Sequence, residues 1–476
     1  MEFIRKYGLI VSVALLIFSL LFPGTVVGLA VTLLIVGMLV LNPKQGILFL
    51  IVYFPVRPFL IEVNDSIKFV GDLLIILLFI KCLPYYFKNK GEWKQGIVFI
   101  AGFLAFCAIG AASALLTGVS IGAIVFQLRA FLITFLLIFV VRSLDITKKD
   151  VISFLWVTIL MAVLLSVHGI IEKVSLRTMF LPKSWENMHL AETNRMRIYG
   201  LIGNPNVLAT YLSIAFIFTL YLKRIVQNKQ VLITAFSVLI FGAFILTYSR
   251  GTIIALGVGL VVYLFLSRDW KIFKPLLLSL VLSLPLVYYP VVQLTTYMEN
   301  HSEKHQSDKE LREKNGDFSQ RMNEAFNKDT IKKSTAWGRL YVVNRGFEIF
   351  KEHPVIGTGF GTYGDSASLA YSSPIYERYK IPENLYSDNQ FIQVIVQTGA
   401  MGVVTFAVFI LGMVGSLWKR RKENAAAIAL IAILAGGFAA GMFYNIFEDK
   451  TFTLYYYILI GFVLNSMVAR NGTMKR

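Results

Sequence analysis

MEFIRKYGLIVSVALLIFSLLFPGTVVGLAVTLLIVGMLVL, residues 1–41, opens with Arg5 and Lys6 and then turns apolar almost without interruption. A basic start before an apolar core is the layout of a secretory signal. No small-x-small cleavage site follows, and a second apolar run begins at once. The stretch therefore reads as a retained first membrane span followed by a second.

The same pattern continues along the chain. Apolar segments recur at about 8–22, 24–41, 46–60, 67–83, 96–116, 121–141, 151–171, 205–222, 230–248, 251–267, 275–293, 401–418, 425–443 and 451–468. Most are about as long as a bilayer crossing requires. Backbone groups in lipid must be paired within the segment, so such runs are helices. With 56% hydrophobic and only 16% charged residues, the chain is no soluble domain. The fold class expected is all-α: a polytopic membrane protein with about 12–14 transmembrane helices. Pro55 and Pro58 interrupt the third segment, which is expected to be bent or re-entrant.

The charges set an orientation. Basic residues fall in alternate connections: Lys44; Lys88, Lys90 and Lys94; Arg142, Lys148 and Lys149; Lys223, Arg224 and Lys229; Arg268, Lys271 and Lys274; WKRRK at 418–422; and Arg470, Lys475 and Arg476. The intervening short loops, IEVND at 61–65 and TGVS at 117–120, lack Lys and Arg. This is the positive-inside pattern, with both termini cytoplasmic and the chain in the cell membrane. It also explains the net charge of +18 without nucleic acid. Cys82 and Cys107 lie in or beside apolar runs, so neither a disulfide nor a thiolate metal site is expected. No cofactor is implied.

Two connections are long, and both are expected outside: about 172–204 and 294–400. The division expected is therefore transmembrane helices over 1–293, an extracytoplasmic loop over 294–400 and further transmembrane helices over 401–476. The first part of the large loop, ENHSEKHQSDKELREKNGDFSQRMNEAFNKDTIKK, is highly charged and reads as a mobile flap. From Ser334 apolar residues return with Gly and Pro punctuation, as in an ordered segment. Long loops in compact proteins are usually functional. No internal repeat is visible.

Four stretches hold residues suited to chemistry. In RMRIYGLIGNPNVLATYL (195–212), Arg195 and Arg197 precede a turn where Asn204 or Asn206 can cap a helix opened by Pro205. Arginines and helix N-termini favour anions, though a capped helix with interfacial arginines accounts for the same residues and is the simpler reading of this stretch alone. In TYSRGTIIAL (247–256), Arg250 sits in a tight connection, as an anchor or an anion ligand. In WGRLYVVNRGFEIFKEHPVIGTGFGTYG (337–364), an amphipathic helix with Arg339 and Arg345 runs to about 352. His353 reads as a turn residue. Gly357, Gly359, Gly361 and Gly364 allow close backbone approach and free amide donors. In YSDNQFIQVIVQTGAMG (386–402), Ser387 or Asp388 caps a helix, alone or together with a functional role, or Asp388 or Asn389 faces a cavity; Gln390, Gln393 and Gln397 share another face. Asp72 is expected to pair with Arg129 or Arg57 within the membrane, and His168 to be packed.

In this order the four stretches resemble the O-antigen ligase and Wzy-type polysaccharide polymerase superfamily. The motifs are Arg…Gly…Asn-Pro-Asn at 197–206, Ser-Arg-Gly at 249–251, Arg…His-Pro…Gly-x-Gly at 339–359 and Asp-Asn…Gly-x-x-Gly at 388–402, spanning about 195–405. The loop and chain length look like a Gram-positive wall-polysaccharide polymerase, such as one for teichuronic acid. The resemblance implies a membrane glycosyltransferase without nucleotide sugar or obligatory metal. Its donor is a glycan on undecaprenyl pyrophosphate, and its acceptor a sugar hydroxyl on another lipid-linked glycan. It implies Arg197, Arg250 and Arg339 as pyrophosphate ligands, and Asp388 and Asn389 as catalytic residues. Asp388 is then a base, an acceptor-orienting group or only a cap. A flippase and a chain-length regulator are the protein partners it suggests. Many ligases of the superfamily carry His-Asn where this chain has Asp388-Asn389, which favours a polymerase over a ligase. A lipid-linked oligosaccharide flippase is the rival of a different class, and the missing repeat weighs against it.

Overall fold

The computed structural model describes residues 2–188, 190, 192–301 and 338–465. Among these the regular structure is helical, with no strand. Each apolar segment expected from the sequence coincides with a helix. Among the described residues, eight helices are long and apolar enough to cross a membrane: Pro43–Val63, Ile97–Leu116, Ile121–Arg142, Lys148–Val174, Pro205–Ile225, Arg250–Ser267, Trp270–Asn300 and Gln390–Arg420. Five shorter apolar helices accompany them: Lys6–Leu21, Thr25–Leu41, Gln230–Leu246, Ala426–Ala440 and Lys450–Leu464. The chain is thus an all-α, multi-pass membrane protein. The charged flap expected between the last helices of this series falls mostly at 302–337, outside the described residues.

Local sequence sets several helix ends. Ser120 accepts from the Ala123 amide at 3.3 Å, and Thr147 with Asp150 forms a capping box. The segment expected to be bent or re-entrant, Pro43–Val63, is one continuous helix that carries Pro55 and Pro58 inside it. Tyr53, Phe54 and Pro55 are buried there, and packing of a buried face outweighs weak helix propensity. Trp270–Asn300 instead changes winding at a π turn, Leu284–Tyr288, which contains Pro285.

Two compact units make up the chain. The first comprises Met1–Lys81, Leu144–Ile253 and Arg268–Met322. In it, Pro205–Ile225 packs on Gln230–Leu246 and Lys148–Val174, and Gln230–Leu246 on Phe273–Ser283. The Ser237 and Ser279 hydroxyls meet at 2.9 Å. Glu2–Leu21 packs on Thr25–Leu41 and Pro43–Val63. His168 is packed, its Nε2 lying 3.1 Å from the Phe180 carbonyl. Arg57 donates Nε and Nη2 to the Lys68 carbonyl at 3.3 and 3.1 Å. Asp72 lies buried in the first turn of Val70–Lys88.

The second unit comprises Cys82–Ser143, Ile254–Ser267 and Asn323–Arg476. Its main seam joins Ile97–Leu116 to Gln390–Arg420. A Cβ on Gly102 would sit 2.7 Å from the Phe409 amide nitrogen, and one on Gly412 2.8 Å from that of Phe99. Small residues let these backbones approach. Phe103, Phe106, Phe131, Phe135, Phe360 and Phe409 form an aromatic core around the seam. Lys450–Leu464 lies along Ile121–Arg142, tied by Thr134 Oγ1 to Thr453 Oγ1 at 2.9 Å. Arg129 lies over the Phe126 ring. Cys82 and Cys107 are free thiols.

Candidate functional site

In the first unit, two of the four sequence motifs converge. Asn204 caps Pro205–Ile225 by accepting from the Asn206 and Val207 amides at 2.9 and 3.2 Å. The neighbouring Asn206 side chain is thereby left for other work. Its Oδ1 accepts from Arg197 Nη2 at 2.6 Å and from Ser249 Oγ at 3.0 Å. Arg197 Nε also donates to the Thr247 carbonyl at 2.8 Å. Asn206 thus joins the Arg197 loop to the Ser249-Arg250 turn, which are far apart in sequence. Arg250 is exposed and is the first residue of Arg250–Ser267. The preceding Tyr248 turns the chain with a left-handed φ of 50°.

The acidic residue that holds this arrangement has no place in the motifs. Glu172, one turn from the end of Lys148–Val174, has only 1% of its side chain exposed. Its Oε2 accepts from the Tyr199 and Gly200 amides at 2.9 and 2.7 Å, and its Oε1 pairs with Arg177. The adjacent Lys173 donates Nζ to the Met196 carbonyl at 2.5 Å. Two successive residues of one helix therefore grip the chain on both sides of Arg197. An ionisable pair closing the apolar span as GIIEKV is the signal the sequence did carry. Glu172→Ala is expected to destabilise the protein by about 3 kcal/mol, since it strands the Arg177 charge and two amides. A melting curve in detergent measures this; an unchanged midpoint would show that the loop holds without the carboxylate.

Arg339, Asp388 and Asn389 belong to the second unit. The helix cap is Asn389, not Ser387 or Asp388: its Oδ1 accepts from the Phe391 and Ile392 amides at 3.0 and 3.1 Å. Asp388 is half-buried, has a left-handed φ of 45° and immediately precedes the cap residue. Arg339 opens the helix Arg339–Glu352 and donates Nη2 to the Phe443 carbonyl at 3.3 Å. His353 ends that helix, as expected of a turn residue. Arg345 pairs with Glu348 one turn on.

The glycine-rich turn works differently from the sequence expectation of free amides. Gln390–Arg420 is broken at Gly399, which has φ 59° and ψ −163°. The break leaves helix carbonyls and amides without intrahelical partners, and the turn supplies them. Thr358 and Gly359 amides donate to the Val396 and Gln397 carbonyls at 2.9 and 2.7 Å. The Ala400 and Met401 amides donate back to the Pro354 and Val355 carbonyls at 2.8 and 3.0 Å. The Gly361 amide is held by Asp365 Oδ2 and that of Gly364 by the Tyr376 hydroxyl. The turn is a clamp on a kinked helix, and these amides are not open to an anion.

The glutamine face anticipated on this helix is buried and meets two carboxylates the sequence reading passed over. Gln397 Nε2 donates to Asp365 Oδ2 at 2.7 Å. Gln393 Nε2 donates to Glu448 Oε1, which also accepts from Gln127 Nε2 at 2.5 Å. Burial pushes the Asp365 carboxyl up, and burial with the nearby Asp365 charge pushes Glu448 up as well. Tyr386 and Tyr444, whose ring centroids lie 6.4 Å apart, have phenols raised by burial, then at Tyr386 by Glu448 and Asp388, and at Tyr444 by Tyr386 followed by Asp449 and Asp388.

These shifts make a pH prediction. A carboxyl raised on folding binds its proton more tightly in the folded protein. Its contribution to stability is full below the ordinary carboxylate range and is lost as pH rises through the elevated value. The melting temperature is therefore expected to fall as pH rises from that range towards neutrality and beyond. Glu448→Gln, which mimics the protonated form, is expected to flatten the slope. An equal slope in wild type and variant would remove Glu448 as its source.

The family comparison agrees with the sequence motifs. Residues 235–407 match the O-antigen ligase family model. Arg250, Arg339, Asp388 and Asn389 lie inside the match, and Arg197 and Asn206 lie before it. No curated protein matches the chain.

Proposed function

We propose that this multi-pass membrane protein, whose residues 235–407 match the O-antigen ligase family model, is a polymerase of cell-surface polysaccharide. It transfers a glycan from undecaprenyl pyrophosphate to a sugar hydroxyl of a second lipid-linked glycan at the outer membrane face. In the step, the bond from the anomeric carbon to the pyrophosphate oxygen breaks, and the electron pair leaves with the pyrophosphate. A bond from the acceptor oxygen to that carbon forms, and Asp388 takes the hydroxyl proton. Arg197, Arg250 and Arg339 are assigned to the leaving group, where fixed cations stabilise developing negative charge. Asn389 holds the helix start beside Asp388.

The observation that carries this reading is the meeting of Arg197 and the Ser249-Arg250 turn on Asn206. It sets one arginine rigidly, with a second at the head of a helix in the same turn. Transfer to a different acceptor, as in a ligase, would use the same donor residues. The aspartate at 388 favours the polymerase.

The test uses purified protein in nanodiscs with lipid-linked repeat units of its own pathway, and product length is read on a gel. Wild type is expected to lengthen chains. Arg197→Ala is expected to raise the KM for the donor about tenfold or more, since a charge-assisted contact is worth about 1.5–3 kcal/mol. Movement of labelled lipid-linked glycan between leaflets without lengthening would overturn the polymerase and leave a flippase.

A further inference from the structure

The connection between Ala426–Ala440 and Lys450–Leu464, residues 441–449, lies beyond the O-antigen ligase match and outside all four motifs. It nevertheless touches each candidate residue of the second unit or its immediate neighbour. The Phe443 carbonyl accepts from Arg339 Nη2 at 3.3 Å, and the Phe443 ring lies 5.6 Å from the same guanidinium. The Gly441 carbonyl accepts from the Gln390 amide at 2.8 Å, and the Phe447 amide donates to Gln390 Oε1 at 2.9 Å. Both bonds fix the residue that follows the Asn389 cap.

Asn445 is the centre of this contact. It is fully buried. Its Oδ1 accepts from Ser387 Oγ at 2.9 Å, and its Nδ2 donates to the Gly364 carbonyl at 3.2 Å. The same Gly364 carbonyl accepts from the Ser387 amide at 2.9 Å. Asn445 therefore closes a small ring of bonds around the residue immediately before Asp388. At Asp388 the backbone is left-handed, with φ 45°, a conformation uncommon outside glycine that aspartate and asparagine adopt more readily than other residues. A Cβ on Gly364 would lie 2.7 Å from the Ser387 nitrogen, so the turn has no slack on that side.

We infer that Asn445 is a positioning residue: it holds the Ser387-Asp388-Asn389 turn in its left-handed form, while Phe443 in the same loop seats Arg339. The inference rests on the proposed role of Asp388 in glycan transfer. Asparagine suits the task because one side chain must accept from a hydroxyl and donate to a carbonyl at once. Aspartate at 445 would keep the acceptor but lose the donor, and it would bury a charge facing a carbonyl.

The test compares wild type, Asn445→Ala, Ser387→Ala and Asp388→Ala in nanodiscs, each at equal folded amount. Ser387→Ala removes the same bond from the other partner and serves if Asn445→Ala does not fold. Two readouts are taken: steady-state chain lengthening with lipid-linked repeat units, and hydrogen exchange of the amides at 386–390. The expected result for Asn445→Ala and Ser387→Ala is a fall in kcat of about tenfold or more, with donor KM within about twofold of wild type and faster exchange at 386–390. Wild-type kcat and exchange in these variants, with Asp388→Ala inactive, would overturn the positioning role and leave the function intact. Full activity of Asp388→Ala would instead overturn the role of Asp388, and with it the one given to Asn445.

Discussion

Asp388→Asn is expected to lower the rate of chain lengthening by about 10²–10⁴-fold with little change in donor KM, the usual span for removing a general base. Asparagine is the informative replacement because it tolerates the left-handed backbone that Asp388 occupies. Alanine there adds a conformational cost of about 1 kcal/mol to any chemical one. The helix start survives either change, because Asn389 provides the cap. Loss of rate in a folded Asp388→Asn protein therefore reports on the carboxylate itself. Wild-type lengthening by the asparagine variant would remove Asp388 as the base and turn attention to the carboxylates behind it. Of these, Glu448 is locked by Gln127 and Gln393, and Asp365 by Gln397 and the Gly361 amide. Both of these carboxylates are buried, whereas Asp388 is half-buried.

The helical membrane fold was legible because hydropathy is additive and local. Each run of apolar residues declares a helix whatever surrounds it. The Asn204 cap with Pro205 was legible for the same reason, since every atom it uses lies within a few residues. The glutamine face of the last motif could be read as a face, but its partners could not. Asp365, Gln127 and Glu448 come from three other segments, and a long-range hydrogen bond leaves no periodic trace in sequence. Asn445 was missed on the same ground. Glu172 was missed for a different reason: a single acid at the end of a span looks like an interfacial charge until its amide partners at Tyr199 and Gly200 are seen. The glycine run was misread because glycine marks close backbone approach without saying to what. An anion and a broken helix ask for the same amides.

That broken helix gives the largest structural effect expected. Gly359→Ala should leave little folded protein, a loss of about 3 kcal/mol or more from overpacking combined with a positive φ. The Gly359 φ is 94°, and a Cβ there would stand 2.0 Å from the Ala114 nitrogen and 2.1 Å from its Cα. Both are backbone atoms of Ile97–Leu116, so no rotamer relieves the clash. Moving the turn away would also break the bonds from Thr358 and Gly359 to the Val396 and Gln397 carbonyls. At the kink those carbonyls have no other amide to meet, and an unpaired backbone group away from water costs several kcal/mol. Gly399 is bound by the same geometry from the other side, where a Cβ would lie 2.5 Å from the Val355 carbonyl carbon. Gly24→Ala is the control, since a Cβ at Gly24 meets nothing within 4 Å. Size-exclusion profiles and melting curves in detergent decide the matter. A monodisperse Gly359→Ala protein with a wild-type midpoint would mean that the turn and the kinked helix do not depend on each other. The Asp388 turn, which starts that helix, would then owe its position to the Gly364 carbonyl and the 441–449 loop.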